Sequence, residues 1–182
     1  YRELEVYAIL DRCEIALPQN DLDAASALLG TAQLAATAEY AYRWRHLLRI
    51  ALLRSSLELS LGQPELAQQR ALECSDAAAR HGALRYQLLG ELAAARASAL
   101  LGAPADLDSV MQRCTALPAV AGPDAWRVIA STASVLQLDA ARSLAASLVH
   151  RLQASLPDDL AESLRRYAGT VLESSSTAGR SR

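Results

Sequence analysis

The chain repeats itself at intervals of about 40 to 42 residues, and this periodicity constrains the fold more than any other feature of the sequence. With a shift of 42, Asp21–Ala25 aligns with Gln63–Ala67; with a shift of 40, Leu61–Pro64 aligns with Leu101–Pro104. An aromatic residue recurs at positions 44, 86 and 126, and Leu138–Ala141 repeats Leu22–Ala25 in a shortened last unit. Each unit is long enough for two helices, so the interval predicts an α-solenoid of stacked helix pairs.

Apolar residues recur every three or four positions, and no strand-like alternation persists. Breaking residues divide the chain into about nine helices, which we expect to begin near residues 2, 22, 41, 64, 83, 106, 124, 139 and 159. Asp21 is predicted to cap the second helix, and the sixth is predicted to end before Pro118. The fold class is therefore all-α.

One repeat domain is expected over residues 1–173. Its units are predicted at 1–40, 41–82, 83–118 and 123–156, followed by a capping helix at 157–173 whose polar face suits the end of an array. Residues 174–182, rich in Ser, Gly and Arg, are predicted to form a disordered tail.

The units resemble tetratricopeptide repeats. The glycine that this family places between its two helices matches Gly62 and Gly102, and its small residue early in the second helix matches Ala25 and Ala67. Two departures are Leu107 at a small-residue position and Glu58 in place of the family's tyrosine. The family's repeat is also shorter, at about 34 residues.

The longer, Ala/Leu/Arg-rich version resembles the C-terminal repeat regions of large bacterial signalling ATPases, kinases and transcriptional activators. The resemblance implies a right-handed α–α superhelix of about four helix pairs plus a capping helix. It also implies that the first helix of each pair lines a concave, partner-binding surface.

The composition excludes several chemistries. All 18 basic residues are Arg, which rules out a P-loop lysine, a Schiff-base lysine and a kinase-type strand lysine. The missing Lys and Phe are typical of a high-GC bacterial genome. The net charge of −2 gives no overall attraction to nucleic acid. No apolar run approaches the roughly 18 residues that span a membrane. We expect a cytoplasmic protein without a nucleic-acid or membrane partner.

The residues that most often carry catalysis have simpler interpretations here. His46, His81 and His150 are predicted to cap helices or lie on the surface, and Cys74 and Cys114 to pack in the core. No His/Cys/Asp/Glu spacing resembles a zinc site. We therefore predict no catalytic residue, no metal and no cofactor.

The most distinctive cluster lies on and just before the third predicted helix, where no acid occurs between Glu39 and Glu58. Arg forks suit carboxylates and aromatic rings supply anchors, so the cluster and its repeat equivalents are candidates for binding a peptide. The candidate partner-binding residues are Arg43, Trp44, Arg45, His46, Arg49, Arg85, Tyr86, Trp126 and Arg127. The alternative is that the aromatic residues pack between repeats and the arginines form a solvated face.

The predicted function is a non-catalytic interaction or regulatory scaffold module of a larger bacterial signalling or transcription-regulatory protein. We expect it to be linked to an upstream domain and to bind a protein or peptide, acidic or C-terminal, on its concave face. The alternative is a small-effector sensor that controls an upstream ATPase, kinase or DNA-binding domain. An enzyme is the third possibility, but no catalytic constellation can be assembled for it.

Overall fold

The structure, a computed structural model, describes residues 2–122 and 125–177, with side chains as far as residue 169. In these ranges the chain forms nine helices and no strand. The helices are α1 Arg2–Ala16, α2 Leu22–Ala35, α3 Arg43–Ser60, α4 Pro64–Arg80, α5 Leu84–Leu100, α6 Leu107–Ala121, α7 Ala125–Leu136, α8 Asp139–Gln153 and α9 Asp158–Thr177.

The turns within the helix pairs share one geometry. A residue in the left-handed region follows the first helix of every pair, with φ of 59° at Asn20, 72° at Gly62, 75° at Gly102 and 54° at Gln137. In three of these turns, the N–H of the residue after the left-handed one donates to the carbonyl oxygen five positions earlier. The N···O distance is 3.1 Å from Asp21 to Ala16, and 2.8 and 2.9 Å for the bonds donated by Gln63 and Leu138. This is the Schellman type of helix end. The equivalent turns of the sequence repeat thus share a backbone conformation, which Gly82 between α4 and α5 adopts as well.

The chain divides into two compact units, Tyr1–Leu101 and Gly102–Arg182. In the first, each helix from α1 to α5 packs against the next, and α3 also lies against α1 and α5. The core between α1, α2 and α3 contains Leu10, Leu29 and Ile50, all fully buried. This packing, in which each helix contacts the next one and α3 also contacts α1 and α5, is compatible with a helical repeat.

Gly90 brings α5 close to α4. A Cβ atom at this position would lie 2.8 Å from the carbonyl oxygen of Ala71 and 2.9 Å from the amide nitrogen of Ser75. Ala71 and Ala93 are buried beside this crossing. The small residues thus set the distance between the two helices.

The second unit is built in the same way from α6 to α9. Consecutive helices pack together, α6 also contacts α8, and α7 contacts α9. Leu117, Ile129 and Ala145 are buried in it. The boundary between the units falls inside the predicted third repeat unit, 83–118; a single array continuing across it stays a prediction.

Some predicted helix ends were wrong. α6 does not stop before Pro118 but continues to Ala121. Pro118 removes one backbone hydrogen bond, and burial of Leu117 and Ala121 on either side of it compensates for that loss. α9 continues to Thr177, into the predicted disordered tail; the remainder of that tail, 178–182, lies outside the described residues.

Within the described part of the chain, no helix combines the length and the apolar character needed to cross a membrane.

Candidate interaction surface

The first turn of α3 presents an exposed arginine between two aromatic rings. Tyr42, the residue before α3, adopts a left-handed conformation (φ 58°, ψ 16°) and is 55% exposed. The Arg45 guanidinium carbon lies 4.7 Å from the centroid of the Tyr42 ring and 5.2 Å from that of Trp44. These distances are typical of cation–π contacts. We call Tyr42, Trp44 and Arg45 the α3 platform.

Arg45 has no carboxylate partner among the residues whose side chains the structure describes. The residue is exposed, so its guanidinium is accessible to a ligand. An Arg in this setting can donate two parallel hydrogen bonds to a carboxylate.

Trp44 supports the platform from inside. Its ring stacks on His81 with a centroid distance of 4.8 Å and an interplanar angle of 13°. It is half-buried against the core residues Leu48, Cys74 and Ala78, as is Tyr86 from α5. Both aromatic residues therefore pack within the repeat, as the alternative interpretation of the sequence proposed, while Trp44 also contributes to the surface.

Arg49 does not extend the cationic surface of Arg45. Its Nε donates to Glu14 at 2.8 Å and a terminal nitrogen donates to Asp11 at 2.5 Å, and its side chain is only 11% exposed. Burial alone lowers the pKa of Arg49, but the bonds and charges of Glu14 and Asp11 raise it above its usual value. Arg49 thus stays charged and ties α3 to α1.

Arg43 is also engaged within the chain. Its Nε donates to the carbonyl oxygen of Ala36 at 2.6 Å, and a terminal nitrogen pairs with Glu39 at 2.7 Å. Both contacts lie on the segment between α2 and α3. Arg43 therefore anchors this segment to the start of α3.

His46 is buried, with 1% of its surface exposed, so the expected surface position was wrong for this residue. Its Nδ1 shares a 2.8 Å hydrogen bond with the Tyr40 hydroxyl, and the Tyr7 ring meets it edge-on with a centroid distance of 4.5 Å. A partner on the surface cannot touch this side chain directly.

The remaining candidates fall in different places. Arg85 is exposed at the start of α5, in the same unit as Arg45. Trp126 is 4% exposed in the second unit, where it contacts Tyr167 edge-on at 5.8 Å, and Arg127 beside it is half-buried. Trp126 is therefore a packing residue of the second unit.

The contact of His81 with Trp44 was not predicted from the sequence. His81 lies 37 positions after Trp44, at the end of the following helix, so only the folded hairpin brings the two rings together. Tyr42 was not among the predicted candidates. Its signal was present in the sequence, since it precedes the Arg/Trp run directly.

Two cysteines are poorly suited to nucleophilic chemistry. Burial raises the pKa of Cys13 to about 11 and that of Cys74 to about 12, so both are protonated thiols at neutral pH. No three His, Cys, Asp or Glu side chains in the described ranges are grouped closely enough to hold a metal ion.

No protein family, curated protein or solved structure matches the sequence.

Proposed function

We propose that the chain is a non-catalytic helical-repeat interaction module that binds an acidic peptide segment on the α3 platform. The observation that carries this proposal is Arg45, an exposed cation within cation–π distance of two aromatic rings and without a carboxylate partner among the described side chains. The peptide contributes a carboxylate, from Asp, Glu or its own C-terminus, to the guanidinium.

The electrostatic surroundings support the choice of an acidic ligand. The first turns of α3 and α5, both inside the described ranges, carry no acidic residue. The residues before them, Tyr42 and Ala83, provide no side-chain cap. Because Arg45 lies in the first turn of α3, the positive end of the α3 dipole adds to its charge.

The repeat geometry supports an interaction module. The common left-handed turn and the packing of α3 against α1 and α5 fit an array of tetratricopeptide type, in which first helices line one face. We propose that this array is a right-handed superhelix and serves a larger regulatory protein.

The test is binding to synthetic peptides in matched pairs, one with Asp and Glu and the other with Asn and Gln in their place. Acidic peptides that the wild type binds should bind Arg45→Glu at least about tenfold more weakly. The substitution removes a charge-assisted bidentate contact and places a negative charge opposite the carboxylate of the peptide. The control is Arg12→Glu, the same change at an exposed α1 position. Equal capture of acidic and amide peptides, or equal loss in both variants, would refute the proposal.

A further inference from the structure

His46 lies directly after Arg45 and is the buried polar residue closest to the α3 platform in the sequence. Its Nε2 is buried and has no hydrogen-bond partner among the described residues. Its Nδ1 is satisfied only by the hydroxyl of Tyr40. The imidazole is therefore held by a single hydrogen bond and by ring packing.

Tyr40 connects this histidine to the platform. It is two residues before Tyr42, whose left-handed backbone directs the chain into α3. The N–H of Arg43 donates to the carbonyl oxygen of Tyr40 at 3.3 Å, and that of Arg45 donates to the carbonyl oxygen of Tyr42 at 2.9 Å. Tyr40 is thus linked to Tyr42 and Arg45 through the backbone of Arg43, in addition to the contacts that Arg43 makes with Ala36 and Glu39. A non-glycine residue such as Tyr42 keeps φ of 58° only while its surroundings hold it there.

Protonation would disturb this arrangement. A neutral imidazole can accept from or donate to Tyr40 through Nδ1, whereas an imidazolium must donate from both nitrogens. The second donor, at Nε2, would be a buried charged group with no acceptor in the described part of the chain. Burying an unpaired charge is costly, so the cation favours an opened arrangement in which water reaches the ring.

We propose that His46 is a proton-sensitive latch for the α3 platform: its protonation releases Tyr40, loosens Tyr42 and Arg45, and weakens ligand binding on acidification. The predicted loss of ligand binding rests on the proposed function. The predicted loosening of Tyr40, Tyr42 and Arg45 does not.

The groups that face His46 decide the sign of the effect. Tyr7 and Glu3 face it from α1, Tyr40 from the segment before α3, and Arg49 from its own helix. Burial, the largest influence, lowers the pKa of His46; Glu3 raises it and Arg49 lowers it. The folded protein therefore binds this proton less readily than the unfolded chain does. The contribution of His46 to stability is complete at neutral pH and is lost as pH falls below the usual histidine range, near 6.5.

The first experiment follows amide hydrogen exchange of residues 37–43 at about pH 7.5 and pH 5, with the amides of α4 as the internal reference. After correction for intrinsic exchange, wild-type exchange of 37–43 should rise several-fold relative to α4 at the lower pH. In His46→Gln, which cannot titrate, the ratio should stay constant, whereas the control His150→Gln should behave as wild type. A constant ratio in the wild type, or the same rise in His46→Gln, would overturn the latch.

A second variant covers the case in which His46→Gln does not fold. Tyr40→Phe removes the hydrogen bond and keeps the ring, so residues 37–43 should already exchange faster at pH 7.5. Unchanged exchange in this variant would contradict the proposed link.

Binding of the acidic peptide is measured separately at pH 7.5 and about 5.5, where carboxylates remain largely ionised. Weaker binding at pH 5.5 in the wild type but not in His46→Gln supports control of the site. If no acidic peptide binds at pH 7.5, the proposed function is wrong. The hydrogen-exchange data still test whether protonation of His46 loosens residues 37–43.

Discussion

Two arginines one helical turn apart have opposite roles because of the residues that surround them. Arg45 is exposed and lies over the rings of Tyr42 and Trp44, while Arg49 is enclosed by Asp11 and Glu14 from α1. Their spacing of four indicated a shared face, which is correct for helix geometry. The acids that occupy Arg49 are 35 and 38 positions away in the chain, so local sequence could not separate the two residues.

Replacing these arginines should therefore affect different properties. Arg49→Ala should lower the free energy of unfolding by about 1–2 kcal/mol, because two charge-assisted hydrogen bonds are lost while the freed carboxylates are rehydrated. Arg45→Ala should change it by no more than about 0.5 kcal/mol, as is usual for an exposed side chain. Urea denaturation measures both. Equal destabilisation by the two substitutions would contradict the assignment.

A second prediction at this scale concerns the crossing of α4 and α5. Gly90→Ala should destabilise the protein by about 1–3 kcal/mol, because the new methyl group meets the backbone of Ala71 and Ser75. Gly30→Ala is the matched control: Gly30 is exposed within α2, with nothing within 4 Å of the added atom. There the substitution should stabilise by up to about 1 kcal/mol. Similar effects at both glycines would show that the helices are not in close contact at Gly90.

The turns are the elements in which sequence and structure agree best. Gly62 and Gly102 were aligned as inter-helix glycines, and both adopt a left-handed conformation, as does Asn20 at the corresponding turn of the first unit. Gln137 completes the set in the last, shortened unit, although Gln carries no local signal for positive φ. The αL turn is thus imposed by the packing of the two helices even where the residue disfavours it.

This turn gives a prediction of its own. Gln137→Gly should stabilise the protein by about 1 kcal/mol, because glycine removes the steric cost of the left-handed conformation. The same substitution at Gln112, exposed within α6, should destabilise it by about 0.5–1 kcal/mol through lost helix propensity. Thermal denaturation followed by circular dichroism distinguishes the two. A loss of stability at Gln137 would argue against a strained turn there.

The hydrophobic period predicted helices well but could not predict which polar residues become buried. His46 is enclosed by Tyr7 from α1 and by Tyr40 from the preceding segment, and both contacts require the assembled first unit. Pro118 was taken as a helix end because the sequence does not reveal how strongly its neighbours are buried. In each case the missing information is tertiary packing.

At the scale of the whole molecule, the chain consists of two compact units, each with its own buried side chains. Leu10, Leu29 and Ile50 are covered within the first unit by α1, α2 and α3. A domain with its own core can fold independently.

We therefore expect a fragment of residues 1–101 to remain helical and to unfold cooperatively in urea. The measurement is circular dichroism at 222 nm together with Trp44 fluorescence, Trp44 being the one tryptophan in that fragment. Coincident transitions are expected. A gradual, non-cooperative loss of helix would mean that the first unit depends on the rest of the chain.

A charge swap between protein and peptide determines whether Arg45 contacts a carboxylate of the ligand. The starting point is the acidic peptide that the wild type binds most tightly, together with a version in which its Asp or Glu is replaced by Arg. The affinities of the wild type and of Arg45→Glu are measured for both peptides. We expect Arg45→Glu to reject the acidic peptide and to regain binding to the Arg-containing one, while the wild type does the reverse. If the two substitutions are simply additive, with no recovery when both are combined, Arg45 does not contact that carboxylate and the proposed function is wrong.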